Sequence, residues 1–210
     1  HLAKKLLEKG HKIHGFDSMN SYYDVRLKKS RHKILKEFKN FSFKKSKLEN
    51  KKNLERSFKK FKPQIVIHLA AQAGVRYSII NPTTYIKNNI EAYIYLLEYF
   101  KLKKNIKSIL YASSSSVYGD VNKKKPKSEK MISVYAVSKQ TLEQISSVYN
   151  HLYNMNFIGM RFFTVYGPFG RPDMSIFKFF NNIIKNKKID IYNYGNHSRS
   201  FTYISDIIEN

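Results

Sequence analysis

Cysteine is absent from the chain. That excludes disulfides, thiolate catalysis and cysteine-ligated zinc, and it suits a reducing compartment. No apolar run reaches the roughly eighteen residues needed to span a bilayer. The opening His1-Leu2-Ala3-Lys4-Lys5-Leu6-Leu7 is helical in pattern and lacks the long apolar centre of a secretory leader. A cytoplasmic location away from membranes is therefore expected. Acidic residues are scarce, 15 Asp+Glu against 39 Lys+Arg, for a formal net charge of +24. Such an excess invites a nucleic-acid reading. Only seven of the 39 cations are arginine, the residue suited to bidentate phosphate and base-edge contacts. The lysines are scattered, with short runs such as Lys123-Lys124-Lys125. The expected reading is a solvated basic surface that helps attract a pyrophosphate ligand, with no nucleic-acid partner.

What is present is a core and an alternating pattern. The 210 residues, 42% of them hydrophobic, allow one large domain or one domain and part of another. Helices are expected over 2–9, 24–37, 50–60, 83–102, 133–153 and 174–186, and strands over 12–16, 41–43, 64–71, 106–112, 156–161, 189–193 and 199–203. Loops are expected over 72–82, 113–131 and 163–173. The alternation predicts an α/β fold with a parallel sheet and helices on both faces. Glycines and prolines gather after residue 162, which suggests a first domain over 1–162 and a smaller lobe starting at 163–210. The chain opens on a helix, then a strand closed by Asp17. In a dinucleotide-binding βαβ unit an acidic residue stands at that place, with a glycine loop before the helix. That loop and the first strand are expected to lie upstream of His1.

Two stretches carry the chemistry. Tyr111-Ala112-Ser113-Ser114-Ser115-Ser116-Val117-Tyr118-Gly119 ends an apolar strand in hydroxyls, and Tyr135-Ala136-Val137-Ser138-Lys139 sets a phenol and an ammonium four residues apart on one helix face. A free tyrosine ionises near pH 10, too high for a base at neutrality. A neighbouring ammonium favours the phenolate, which can then take a proton from a sugar hydroxyl. Spacing alone is weak evidence, since Tyr99 and Lys103 share it and read as helix surface. The serine cluster makes the difference, because ligands of open α/β sheets bind beyond the carboxyl ends of the strands. His68-Leu69-Ala70-Ala71 ends another strand in small residues that let a flat cofactor approach the backbone. Arg76 in the following loop suits phosphate or carboxylate, or an anchoring ion pair. His68 reads as packed under that loop. His11 and His14 lack a third ligand, so no metal is expected. Thr164, Tyr166, Gly167, Gly170, Arg171 and Asp173 form a polar loop after a strand.

These residues make the chain resemble the extended short-chain dehydrogenases/reductases of the nucleotide-sugar epimerase group, and within it the UDP-glucuronate 4-epimerases. The resemblance rests on His68–Ser78, Tyr111–Gly119, Tyr135–Lys139, Arg161–Met174 and Phe201–Asp206. It implies a Rossmann-type doubly wound parallel sheet and NAD as cofactor. It implies Ser114, Tyr135 and Lys139 as catalytic residues, Tyr135 being the acid/base for the 4-hydroxyl. Asp17, Ala70, Ala71, Asn89, Phe162, Tyr135 and Lys139 would hold the cofactor. Arg76, Ser115, Ser116, Thr164, Arg171, Tyr192 and Arg199 would serve the substrate, with Thr164 and Arg171 on the uronate carboxylate, Arg199 on the pyrophosphate and Tyr192 near uracil. The implied reaction is UDP-glucuronate to UDP-galacturonate through a 4-keto sugar, for surface polysaccharide. A homodimer through helices 83–102 and 133–153 is implied, and Tyr93, Tyr95, Leu96 and Tyr99 read as too apolar for a solvated helix.

Alternatives remain open at this point. One is another UDP-hexose 4-epimerase or a UDP-glucuronate decarboxylase. A dehydratase is disfavoured because Ser115 and Ser116 stand where an Asp-Glu pair would follow the active hydroxyl. A non-catalytic binding protein on the same fold is the alternative of another class. Lys47 and Ser200 stand where relatives of this type carry aspartates. Without the glycine loop the 210 residues alone are expected neither to bind NAD tightly nor to turn over.

Overall fold

The computed structural model describes residues 1–119, 131–191, 193–196 and 198–210. They group into two compact units, one of His1–Lys45 with Phe163–Asn210, the other of Ser46–Phe162. The elements run α1 (Leu2–Glu8), β1 (Ile13–Asp17), α2 (Val25–Lys36), β2 (Phe41–Lys45), α3 (Lys51–Phe61), β3 (Ile65–His68), α4 (Tyr77–Ile80) and α5 (Pro82–Tyr85). A π-helical stretch, Ile86–Glu91, joins α5 to α6 (Ala92–Phe100). Then come β4 (Ser108–Ser114), a 3-10 turn (Ser115–Tyr118), α7 (Val134–Tyr153), β5 (Phe157–Phe162), β6 (Thr164–Tyr166), α8 (Ser175–Ile184), β7 (Phe201–Tyr203) and α9 (Ile204–Glu209).

Local chemistry sets the ends of these helices. Asp24 caps α2 by accepting from Arg26 N at 2.8 Å, Asn50 caps α3 from Asn53 N at 3.0 Å, and Ser133 caps α7 from Ala136 N at 3.1 Å. α7 ends on Asn154 at φ +53, the left-handed turn that asparagine tolerates better than most side chains. Among the described residues all strand pairings are parallel, as the alternating pattern predicts, and they form three sheets: β1-β2, β3-β4-β5 and β6-β7.

The Ser46–Phe162 unit holds the main core. α6 buries Tyr93, Leu96, Leu97 and Phe100; α7 buries Ala136 and Leu142; β4 buries Ile109 and Tyr111. Tyr93 Oη and Ser146 Oγ share a hydrogen bond of 2.8 Å, which satisfies two buried hydroxyls between α6 and α7. Tyr111 lies over β5 at Gly159, where a Cβ would stand 2.5 Å from its hydroxyl; any side chain there would displace the ring.

Several expectations need correction. Residues 189–191 are not in a strand; a 3-10 turn spans Asn193–Gly195, and Tyr194 has φ +52. The 163–173 segment is not all loop, because Thr-Val-Tyr at 164–166 suits a strand and finds a partner in β7. The 72–82 segment contains α4. The expected helix over 83–102 is interrupted by the π-helical turn. Tyr93 and Leu96 are buried within their own unit, so their apolarity requires no second subunit.

Candidate active site

β4 delivers Ser113 and Ser114 to its carboxyl end, both nearly fully buried. Ser114 keeps an extended backbone and caps the 3-10 turn: its Oγ accepts from Ser116 N and donates to Ser116 Oγ, each at 3.2 Å. Ser115 and Ser116 are half-buried in that turn. The fourth hydroxyl differs. Ser113 donates to Glu143 Oε1 at 2.5 Å.

α7 packs against this strand end and carries Tyr135 and Lys139 one turn apart. Lys139 is only 3% exposed. Its Nζ donates to Ala112 O at 2.8 Å, two residues before Ser114 on β4. Burial lowers its pKa to about 8, because a buried ammonium loses its hydration. Beneath it His68, at the end of β3, is stacked on Tyr93 at 4.9 Å, and burial with the charge of Lys139 lowers its pKa to about 3. His68 is therefore a neutral packed imidazole at ordinary pH, as expected from the sequence. Its Nε2 is buried with no hydrogen-bond partner among the described residues.

Tyr135 is half-buried, and its ring meets Tyr85 edge-on at 6.1 Å. Tyr85 is fully buried and donates to the carbonyls of Ala73 and Gly74, which fastens the loop after β3. Asn89, in the π-helical turn, is fully buried. Its Oδ1 accepts from Gln72 N at 2.7 Å, and its Nδ2 donates to Gln72 O at 3.1 Å and Ser138 Oγ at 2.9 Å. Ser138 in turn donates to Tyr135 O at 2.8 Å. The chain of bonds runs from the loop after β3 to the backbone of Tyr135. Asn89, a cofactor candidate by sequence, spends its amide on this frame. Ala70 and Ala71 are half-buried, and Phe162 is half-buried at the end of β5, in register with Ser114. Arg76 stands exposed at the start of α4.

Ser114, Tyr135 and Lys139 thus belong to one frame of β4, its 3-10 turn and α7. Lys139 uses one of three ammonium protons on Ala112, leaving donors for ligand hydroxyls among the described residues. The small Ala70-Ala71 step offers backbone at the same strand ends. These donors fit the ribose and flat ring of a nicotinamide nucleotide.

The other candidates lie in the His1–Lys45 and Phe163–Asn210 unit. Asp17 ends β1 exposed, and one carboxylate oxygen accepts from Met19 N at 2.6 Å. Thr164 starts β6, its N–H bonded to Ser200 O at 3.2 Å. Arg171 grips Asp173 with Nε and Nη2 at 3.0 and 2.6 Å, and Tyr22 donates to the same carboxylate at 3.2 Å. Arg199 is exposed and bonds Ser198 O at 2.7 Å. Tyr192 lies outside the described residues. Among the described residues no cluster of His, Asp or Glu is arranged to hold a metal.

Sequence reasoning gave no role to Tyr85, Gln72 or Glu143. Glu143 carried a signal, since it continues the Tyr135–Lys139 spacing by four residues. Tyr85 and Gln72 carried none, because their partners are backbone groups that only folding brings near.

The profile of the NAD dependent epimerase/dehydratase family matches residues 1–210. The chain is 50% identical over 214 residues to protein CapI of Staphylococcus aureus, covering all of this chain and 63% of that protein. It is 44% identical over 216 residues to a probable UDP-glucuronate 4-epimerase of Rhizobium meliloti, covering all of this chain and 62% of the relative. The crystal structure of UDP-glucuronic acid 4-epimerase from Bacillus cereus, in complex with UDP-glucuronic acid and NAD, superposes with a TM-score of 0.89 at 30% identity, over 99% of this chain and 66% of that one. The chain therefore spans a little under two thirds of the length of these relatives.

Proposed function

Because the chain belongs to the NAD dependent epimerase/dehydratase family, we propose that its protein is a nucleotide-sugar 4-epimerase acting on a UDP-hexuronic acid, with UDP-glucuronate and UDP-galacturonate as the exchanging pair. The observation that carries this reading is the buried Lys139, anchored to Ala112 on the strand that ends in Ser114, one helical turn from Tyr135. A sugar hydroxyl placed at that strand end meets a hydroxyl to orient it and a phenol to exchange its proton. NAD, when bound, supplies the acceptor and donor of the hydride at C4.

The residues then divide the work. Ser114 orients the 4-hydroxyl, and Tyr135 takes its proton and later returns it. Lys139 holds the nicotinamide ribose. Ala70, Ala71 and Phe162 line the cofactor, while Asn89 keeps the loop after β3 in place. Asp17 takes the adenosine ribose. Arg171 and Thr164 take the uronate carboxylate, for which the guanidinium suits two-armed contact; it must release or share Asp173 to do so. Ser115, Ser116, Arg76, Tyr192 and Arg199 serve the sugar and its diphosphate. In this proposal residues 1–162 form the cofactor part and 163–210 belong to the substrate lobe.

A homodimer through α6 and α7 belongs to the same proposal. Val137, Val148 and Leu152 stand exposed on one outer face of α7, 43%, 52% and 61% accessible, and a partner helix would cover them. Cytoplasmic location and a surface-polysaccharide product are part of it too; no helix of the described residues is long and apolar enough to cross a membrane. The test is to incubate the full-length protein with UDP-glucuronate and follow the anomeric proton signals by NMR. A UDP-galacturonate signal growing to a fixed ratio is the expected result. Release of carbon dioxide with a pentose product would favour decarboxylation instead.

A further inference from the structure

Tyr135, Lys139 and Glu143 stand at i, i+4 and i+8 on α7, so one stripe of the helix carries a phenol, an ammonium and a carboxylate. The reaction above uses the first two. Glu143 is hydrogen-bonded to residues near the ends of both strands. It accepts from Ser113 on β4 at 2.5 Å and takes Nε and Nη2 of Arg161 on β5 at 2.9 and 2.7 Å. Ser113 and Arg161 are partners in register across the two strands. The Arg161 guanidinium also lies 4.9 Å from the ring centre of Tyr118, the last residue of the 3-10 turn that starts at Ser115. Arg161 first and Ser113 next hold the Glu143 carboxyl below its ordinary range, so it stays an anion with three donors upon it.

An isolated exposed ion pair contributes little to stability. This one has a two-armed geometry, a third donor and a carboxylate side chain only 17% exposed, and it joins three elements at the place where Ser114 must face Tyr135. Ser133 fixes where α7 begins, but a cap does not fix the rotation of a helix about its axis. A rotation of about 10° moves a phenolic oxygen, roughly 8 Å from that axis, by more than about 1 Å. Displacements of that size cost on the order of a hundredfold in rate.

We infer that Glu143 is a positioning residue, which clamps α7 to the ends of β4 and β5 through Ser113 and Arg161 and thereby sets Tyr135 and Lys139 against Ser114. The inference rests on the epimerase reading for its assay. The carboxylate meets no substrate or cofactor atom in this role, so its loss is felt in kcat and not in binding.

The experiment compares the full-length protein with Glu143→Ala, Glu143→Gln, Arg161→Ala and the double alanine variant, on UDP-glucuronate and UDP-glucose in parallel. Glu143→Ala is expected to lower kcat by roughly ten- to a hundredfold, with KM and the amount of bound NAD within about twofold of the parent. Glu143→Gln keeps one acceptor oxygen, which can serve Ser113 and Arg161 Nε, but turns a donor toward Arg161 Nη2 and loses the fork, so it should recover only part of the rate. Arg161→Ala should match Glu143→Ala, and the double variant should be no worse than either, as for two halves of one clamp. Unchanged kcat in both single variants would overturn the inference, as would a loss confined to KM or to NAD content. If Glu143→Ala does not fold, Arg161→Lys decides, since it keeps the charge and loses the fork: a lower kcat at unchanged KM supports the clamp, and parental kcat defeats it. The variant-to-parent ratio is taken on whichever sugar turns over. A parent that converts the hexose and not the uronate thus defeats the substrate reading alone.

Discussion

The two units bury their residues very differently. In Ser46–Phe162 the core runs from Leu54 and Phe58 through Tyr85, Tyr93 and Leu97 to Ile109 and Leu142, and polar groups are buried within it: His68, Gln72, Asn89, Ser113, Ser114, Ser138 and Lys139. In the other unit Leu7 alone, among the described residues, reaches that degree of apolar burial, while Phe180, Ile183, Ile184 and Ile191 are more than half exposed. The candidate residues follow suit. Ser114 and Lys139 are placed by buried hydrogen bonds, whereas Asp17 and Arg171 are held by a turn and by one ion pair. In the proposed reaction proton transfer tolerates little displacement, which suits groups held in such a buried frame. Charge recognition tolerates more, and a guanidinium on a loop can change partners.

Substitutions can break or sharpen that contrast. The largest effect belongs to Tyr135→Phe, which should cut turnover by about 10²–10⁴ while NAD still co-purifies; retained activity would remove the phenol from the mechanism. Next comes packing. Leu142→Ala, at a fully buried position, should cost about 2–5 kcal/mol in urea unfolding. Ile183→Ala, at a side chain 60% exposed, should stay within about 0.5 kcal/mol. Equal losses would erase the difference between the units.

Lys139→Met sharpens the contrast between stability and function. Burial lowers the folded-state pKa from 10.5 to about 8, so below pH 8 both states are protonated and the fold carries the whole cost of the buried charge. Between about 8 and 10.5 the folded protein releases its proton before the unfolded chain does, and stability rises with pH across that window. The Met variant should therefore be inactive yet more stable at pH 7, by up to about 3 kcal/mol. The gain should shrink to nothing above pH 10.5 in chemical unfolding. A variant less stable at pH 7 would mean that the bond to Ala112 outweighs desolvation. The mildest effect on function is expected for Arg171→Lys, which loses the two-armed grip. KM for the uronate should rise about tenfold, with little change on a neutral UDP-hexose. Equal effects on both sugars would take the carboxylate away from Arg171.

The family motifs, the strand–helix alternation and the Tyr135–Lys139 spacing were legible in the sequence, because each is a local pattern with a local cause: strand period, helix period and serine at a strand end. The 164–166 strand and the 77–80 helix were not, since three or four residues carry too little periodicity and their state depends on partners such as β7. The π-helical turn at 86–91 was hidden as well. It places Asn89 on the backbone of Gln72, seventeen residues earlier, and no spacing along the chain encodes that pairing.

By itself the sequence determined which groups are available for chemistry, and that they stand at strand ends and on one helix face, because side-chain identity and period are properties of the chain. Only the tertiary structure decided that Lys139 is buried against Ala112, that Asn89 is committed to the frame and that Glu143 joins α7 to two strands. Burial and hydrogen-bond partners arise between segments distant in sequence, and it is these that set the charge, orientation and cost of each group.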